Sequence, residues 1–243
     1  MSRRSEAQMI PVRDRWTIRL HWLNAFCWFV LVGTGLGIIS GESIRLAPAF
    51  WPEFLQNMVG GNTNLVRTHA VVGLLWAGAV GLFTVLRWDT VVRPFLRQVL
   101  VLTPRAAVHS VWSMVIILAH LLGLMRRTPA PPAGRYNGAQ RLLGTLIVIA
   151  SVAIAMSGSY LFLAPGLLDF AANPAYGALF RWALVVHAGA VFLVLIGLVA
   201  HIYFALVEEP QSLEGMRSGR LPADYIRHGH VLWYEELKRE GRL

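Results

Sequence analysis

The chain has 243 residues, of which 56% are hydrophobic and only 14% charged, and its formal net charge is +9. Soluble domains carry about a quarter charged residues, so the composition excludes an ordinary water-soluble enzyme and points to a polytopic membrane protein. The single cysteine excludes an internal disulfide, a cysteine-rich zinc site and a four-cysteine iron–sulfur cluster, and there is no CxxCH motif for covalent heme.

In chain order, the first element is a polar leader, MSRRSEAQMIPVRDRWTIRL. It lacks the small-residue exit of a cleaved signal and reads as a retained segment ahead of the first span. A first apolar stretch covers 20–40, with Cys27 as a small packing residue. Further stretches cover 66–86, 142–163 and 180–206. Each is long enough for a hydrocarbon core about 30 Å thick, which takes roughly 20 apolar residues. Backbone polar groups inside a bilayer must be paired within each crossing, so all four read as helices. The predicted fold is all-α, a transmembrane four-helix bundle forming one membrane-embedded domain over 1–243.

Between the second and third spans, AVHSVWSMVIILAHLLGL (107–124) is apolar enough to suggest a fifth crossing. That would invert everything after it and bring His109 and His120 into or near lipid. The segment reads instead as an extra helix at the cytoplasmic interface or packed on the bundle, with both histidines interfacial. RRTPAPPAGRYN follows as a linker, because Pro129, Pro131 and Pro132 stop a helix.

Of the 22 basic residues, all but Arg45, Arg67 and Arg181 precede the first span, lie in 87–141 or follow the fourth span. The positive-inside rule then places the N-terminus, the middle segment and the C-terminal tail in the cytoplasm. No basic stripe interleaved with aromatics sits on a soluble domain, which argues against nucleic acid as a partner.

Four histidines fall within or at the edge of the spans: His21, His69, His187 and His201. Ionisable residues there are costly and mark function by default. His187 and His201 are fourteen residues apart. At about 100° and 1.5 Å per residue they face one side of their helix, about 21 Å apart along it. With the arginine-derived topology, His21 shares the inner level with His201 and His69 shares the outer level with His187. A five-span arrangement would instead pair His69 with His201 and His21 with His187. Either way, two imidazoles flanking an iron make a six-coordinate heme b, held in a bundle core by facing helices. Gly33, Gly35, Gly37, Gly73, Gly78 and Gly81 allow close helix approach, as do Ala188, Gly189, Gly197 and Ala200. Arg15 and Arg19, just before His21, are candidates to pair with heme propionates or to snorkel at the interface.

RLHWLNAF, RTHAVVGL, PPAGRYNGAQRLL, the fourteen-residue histidine spacing and the tail GMRSGRLPADYIRHGHVLWYEEL occur together. From Arg15 to Leu237 this set resembles the gamma subunit, the cytochrome b, of membrane-bound formate dehydrogenases. Related cytochromes b serve nickel–iron hydrogenases and thiosulfate reductases. The resemblance implies two heme b groups, the outer on His69 and His187 and the inner on His21 and His201. It implies that menaquinone or ubiquinone is reduced beside the inner heme, with Asn137 and Gln140 at the quinone pocket. On its own chemistry Asn137 also reads as a cap for the third helix. The implied partners are a catalytic molybdenum or tungsten formate dehydrogenase subunit and an iron–sulfur beta subunit. The chain itself shows no formate site and no iron–sulfur ligands, so no catalytic residue is assigned. Two departures stand out: 108–124 is less polar than is usual in the family, and Gly229 separates His228 from His230. Those two histidines are given a packing or docking role. The rival from another class, a proton-relaying transporter without heme, calls for acidic residues in the spans, and none of the four spans contains one.

Overall fold

The computed structural model of the protein describes residues 8–124 and 131–243; Arg3, Arg4, Arg126, Arg127 and Pro129 lie outside the described residues. The chain runs as β1 (Met9–Pro11), α1 (Arg15–Ile38), α2 (Phe50–Val59), α3 (Asn62–Leu86), α4 (Arg93–Val99), α5 (Pro104–Leu121), α6 (Gly138–Leu167), α7 (Pro174–Tyr203), α8 (Pro210–Arg217), β2 (Arg220–Pro222), α9 (Ala223–Gly229) and α10 (Val231–Arg239). Helices α1, α3, α6 and α7 are long and apolar enough to cross a membrane, α7 running on through a π-helical turn to Glu208. The protein is a helical membrane bundle.

The helix starts follow from local chemistry. Asp14 caps α1 by accepting the amides of Trp16 and Thr17 at 2.9 and 3.2 Å. Its carboxyl lies below the usual range: partial burial opposes this, but the Thr17 hydroxyl, the two amides and Arg87 outweigh it. Thr103 caps α5, and Pro104 occupies its first turn, where a missing N–H costs nothing. Asn137 and Gln140 form a reciprocal box at the start of α6. The Asn137 Oδ1 accepts the Gln140 amide at 2.9 Å, and the Gln140 Oε1 accepts the Asn137 amide at 3.0 Å.

The contacts divide the chain into two units. One comprises 19–86 and 151–192. In it, Trp76 donates its indole N–H to Asn24 Oδ1 at 2.6 Å and meets Trp28 edge to face. Helix α2 lies against α1, where the Trp51 indole donates to the Gly33 carbonyl at 2.9 Å. Leu55 fits so closely at Gly37 that an added Cβ would fall 2.6 Å from its methyl group. Gly78, Gly81 and Gly189 have nothing within 4 Å of an added Cβ, so they are not close-approach points within the chain.

The second unit comprises 1–18, 87–150 and 193–243. Helix α5 bends 73° away from the helical segment Trp88–Val99. It crosses the start of α6 at Gly138, where a Cβ would meet Ser113 Cβ at 2.5 Å. Val108 and Trp112 on α5 are exposed, while Ser110, Ser113 and Ile116 are buried. The N-terminal strand pairs antiparallel with the tail, Ile10 opposite Leu221. Ile10, Leu221, Ile226, Trp233 and Leu237 bury one another beneath this pair. Gly219 has φ +78°, and a Cβ there would stand 2.7 Å from the Arg13 carbonyl oxygen, so only glycine fits. The Asp14–Arg87 ion pair at 3.4 Å and the Arg135–Val12 hydrogen bond at 2.7 Å tie the same region together.

Candidate functional site

His69 on α3 and His187 on α7 lie in the same unit, both half-buried. Their rings meet edge to face, with centroids 6.3 Å apart and planes at 75°. Each ring is fixed from behind by a hydroxyl of another helix. Thr34 Oγ1 lies 2.9 Å from His69 Nδ1, and Ser157 Oγ lies 3.2 Å from His187 Nδ1. Each hydroxyl spends its one proton on its own helix, on the Val30 carbonyl at 2.8 Å and the Ala153 carbonyl at 2.6 Å. Each oxygen therefore accepts an Nδ1–H. That sets the tautomer and leaves Nε2 of both histidines as the open lone pair.

This donor set fits heme iron. Two metal–imidazole bonds of about 2 Å, with the distance from each nitrogen to its ring centre, put the centroids roughly 6 Å apart. The helices also approach closely beside the rings. A Cβ at Gly35 would stand 3.4 Å from His69 Cε1, and one at Gly158 would stand 3.0 Å from His187 Cε1. Among the described residues, no group of three or more His, Cys, Asp or Glu gathers as a metal cage. A metal held by this pair would need its other ligands from a bound group, as a porphyrin would provide.

The other candidate residues are placed as follows. His21 lies on α1, edge-on to Trp22 with ring centroids 5.4 Å apart. His201 lies in the last turn of α7. His21 and His201 belong to different units. Arg15 and Arg19 are exposed in the first turns of α1. Asn137 and Gln140 are joined by their capping box, and each keeps its carboxamide NH2 as a free donor once that box is formed. They line different cavities. Asn137 borders one of about 390 Å³, and Gln140 borders one of about 60 Å³ with Tyr225 and His230. His230 is buried and its Nδ1–H donates to the Gly134 carbonyl at 2.8 Å, a packing role; His228 is exposed. The Tyr225 phenol donates to Glu209 at 2.6 Å, and burial, reinforced by that carboxylate, raises its pKa well above the ordinary value.

Thr34, Ser157 and Gly158 are the site residues that the sequence does not single out. A hydroxyl or a glycine in an apolar helix is common. Only the depth and facing of a histidine on another helix distinguish these three, and that register is tertiary.

Fold and site together define a membrane bundle with an internal, hydroxyl-oriented imidazole pair. The sequence profile of the prokaryotic cytochrome b561 family matches residues 12–219, and the chain belongs to that family. It is a membrane-embedded b-type cytochrome of electron transport, and heme b is its cofactor. It is also similar to the cytochrome b556 subunit of formate dehydrogenase from Haemophilus influenzae, at 22% identity over 235 residues, covering 93% of this chain and 82% of that protein.

Proposed function

We propose that the chain is the diheme membrane subunit of a formate dehydrogenase, carrying electrons from a periplasmic iron–sulfur partner to quinone in the inner membrane. The observation that carries this reading is the His69–His187 pair, with both Nδ1 atoms engaged and both Nε2 atoms open. The similarity to a formate dehydrogenase cytochrome b556 subunit supports the choice of donor. Bound heme b supplies reversible one-electron chemistry. His69 and His187 hold the outer group, Thr34 and Ser157 keep those imidazoles in the ligating tautomer, and His21 and His201 hold the inner group. Arg15 and Arg19, in the first turns of α1, are the candidates to pair with its propionates. Asn137 and Gln140 are the candidate carboxamide N–H donors to quinone, each from the cavity it borders, with cytoplasmic water supplying the protons. Formate is oxidised in a molybdenum or tungsten partner subunit, not in this chain.

The test is a reduced-minus-oxidised spectrum of the purified protein, with heme counted per chain by pyridine hemochrome, followed by reduction of the hemes in membranes by formate. The expected result is two low-spin b hemes per chain, reduced by formate. Reduction by hydrogen instead would assign the chain to a hydrogenase. A folded, colourless protein would leave a transporter or a bare anchor.

A further inference from the structure

The cavity of about 390 Å³ that Asn137 borders has a one-sided charge. Arg97, Arg135 and Arg141 line it together with His109, against the single acid Glu236. Among the described residues, none of these three guanidiniums is within 4.0 Å of a carboxylate. Acids are not scarce in the same unit: Arg87, Arg227 and Arg242 each have one, from Asp14, Asp224 and Glu240. Arg135 gives one nitrogen to the Val12 carbonyl and lies over the Trp233 ring at 5.2 Å. Burial, helped by Arg13 and Arg242 and opposed by Tyr136 and Glu236, makes its proton easier to lose than an ordinary guanidinium proton. Arg141 donates to the Leu100 carbonyl at 3.2 Å, and its buried Nε has no protein acceptor. The cavity also takes in Gly138, the first residue of the 30-residue helix α6, whose positive dipole end favours an anion.

We propose that this cavity binds a phosphate group, held by Arg97, Arg135 and Arg141 at the N-terminal end of α6. Guanidiniums match phosphate oxygens in forked, charge-assisted pairs, and a tetrahedral anion accepts from several at once. Two sources share this chemistry, the headgroup of an anionic phospholipid and free phosphate. The lipid source has support on α5. His109 and Ser113 line the cavity, while Val108 and Trp112 beside them in sequence are exposed apolar surface. This inference does not depend on which enzyme supplies electrons.

The test uses full-length, heme-loaded protein, delipidated in detergent. It is titrated separately with phosphatidylglycerol, phosphatidylcholine and inorganic phosphate, with bound ligand read by native mass spectrometry. Arg97→Glu is the main variant, because Arg97 is exposed, and Arg141→Gln is the second. Heme content per chain checks that each variant folds. Either change is expected to weaken anion binding by about tenfold or more. Phosphatidylglycerol bound one per chain and displaced by excess inorganic phosphate assigns the site to a lipid headgroup. Saturable inorganic phosphate with no competition from the lipid assigns it to the free anion. Equal binding by wild type and the Arg97→Glu protein overturns the proposal. So does phosphatidylglycerol binding no tighter than phosphatidylcholine with no saturable phosphate.

Discussion

In the unit of 19–86 and 151–192, the polar side chains at the site are committed within the protein: Asn24 to Trp76, Thr34 to His69, Ser157 to His187. In the unit of 1–18, 87–150 and 193–243, three arginines and a single acid, Glu236, line a cavity, and among the described residues none of the three is ion-paired within 4.0 Å. The contrast follows from solvent. Lipid offers no hydrogen bonds, so a polar group inside a span must find a protein partner, and an atom left open there is costly unless something else binds it. Two open Nε2 atoms on neighbouring rings are therefore informative. Guanidiniums next to water can be solvated when empty, so their message comes from number and enclosure, not from a single missing bond.

The contrast can be broken most severely at the histidines. His69→Ala or His187→Ala is expected to remove one of two hemes per chain, with the other retained and visible in the reduced spectrum. Loss of both, or of neither, would mean that this pair does not hold a heme of its own. A sterically graded pair of variants comes next. A Cβ at position 158 stands 3.0 Å from His187, tighter than ordinary contact, whereas one at position 35 stands 3.4 Å from His69. Gly158→Ala should lower heme occupancy and Gly35→Ala should leave it nearly unchanged, as counted by hemochrome. If the two behave alike, the glycines are packing residues without bearing on the imidazoles.

Thr34→Val and Ser157→Ala sharpen the comparison further. Each leaves its ligand in place but removes the hydroxyl that faces Nδ1. Outer-shell changes of this kind cost about 10- to 100-fold in metal affinity. Heme should remain at full loading and be lost faster to apomyoglobin, with a shifted midpoint potential in a redox titration. An unchanged potential would show that the hydroxyls are not orienting groups.

The smallest effects concern pH in the other unit. Tyr225 has a raised pKa, so the folded tail keeps a proton that the unfolded phenol loses above about pH 10. Its contribution is full below that pH and falls away as pH rises. Asp14 has a lowered pKa, so its contribution is present above about pH 4 and is lost as pH falls through and below that value. Limited proteolysis of the tail against pH should show both limbs, and Tyr225→Phe should flatten only the alkaline one.

The sequence makes the long helices legible because a run of apolar residues has one use in a bilayer. α1, α3, α6 and α7 begin four to six residues before the apolar stretches at 20–40, 66–86, 142–163 and 180–206, because capping and interfacial residues such as Arg15, Asn62 and Pro174 carry no hydropathy signal. Heme b as the cofactor was legible from matched histidines, since few other cofactors take two imidazoles. The hydroxyls behind His69 and His187 were not, because their meaning lies in a register between helices. The pairing of Met9–Pro11 with Arg220–Pro222 was not legible either. Strands of three residues have no periodicity to read, and these partners are separated by nearly the whole chain.

That last pairing bears on how the protein is made. The first strand leaves the ribosome roughly 200 residues before its mate, an interval of about 10 to 40 s at ordinary synthesis rates. Through that time its edge is unpaired, and Ile10 has no Leu221 to cover it. The strand closes only after the last span has been synthesised and the tail has followed it. A chain stalled before Arg220 keeps an open edge and an uncovered apolar side chain, which mark it as unfinished to any protease or chaperone on that face.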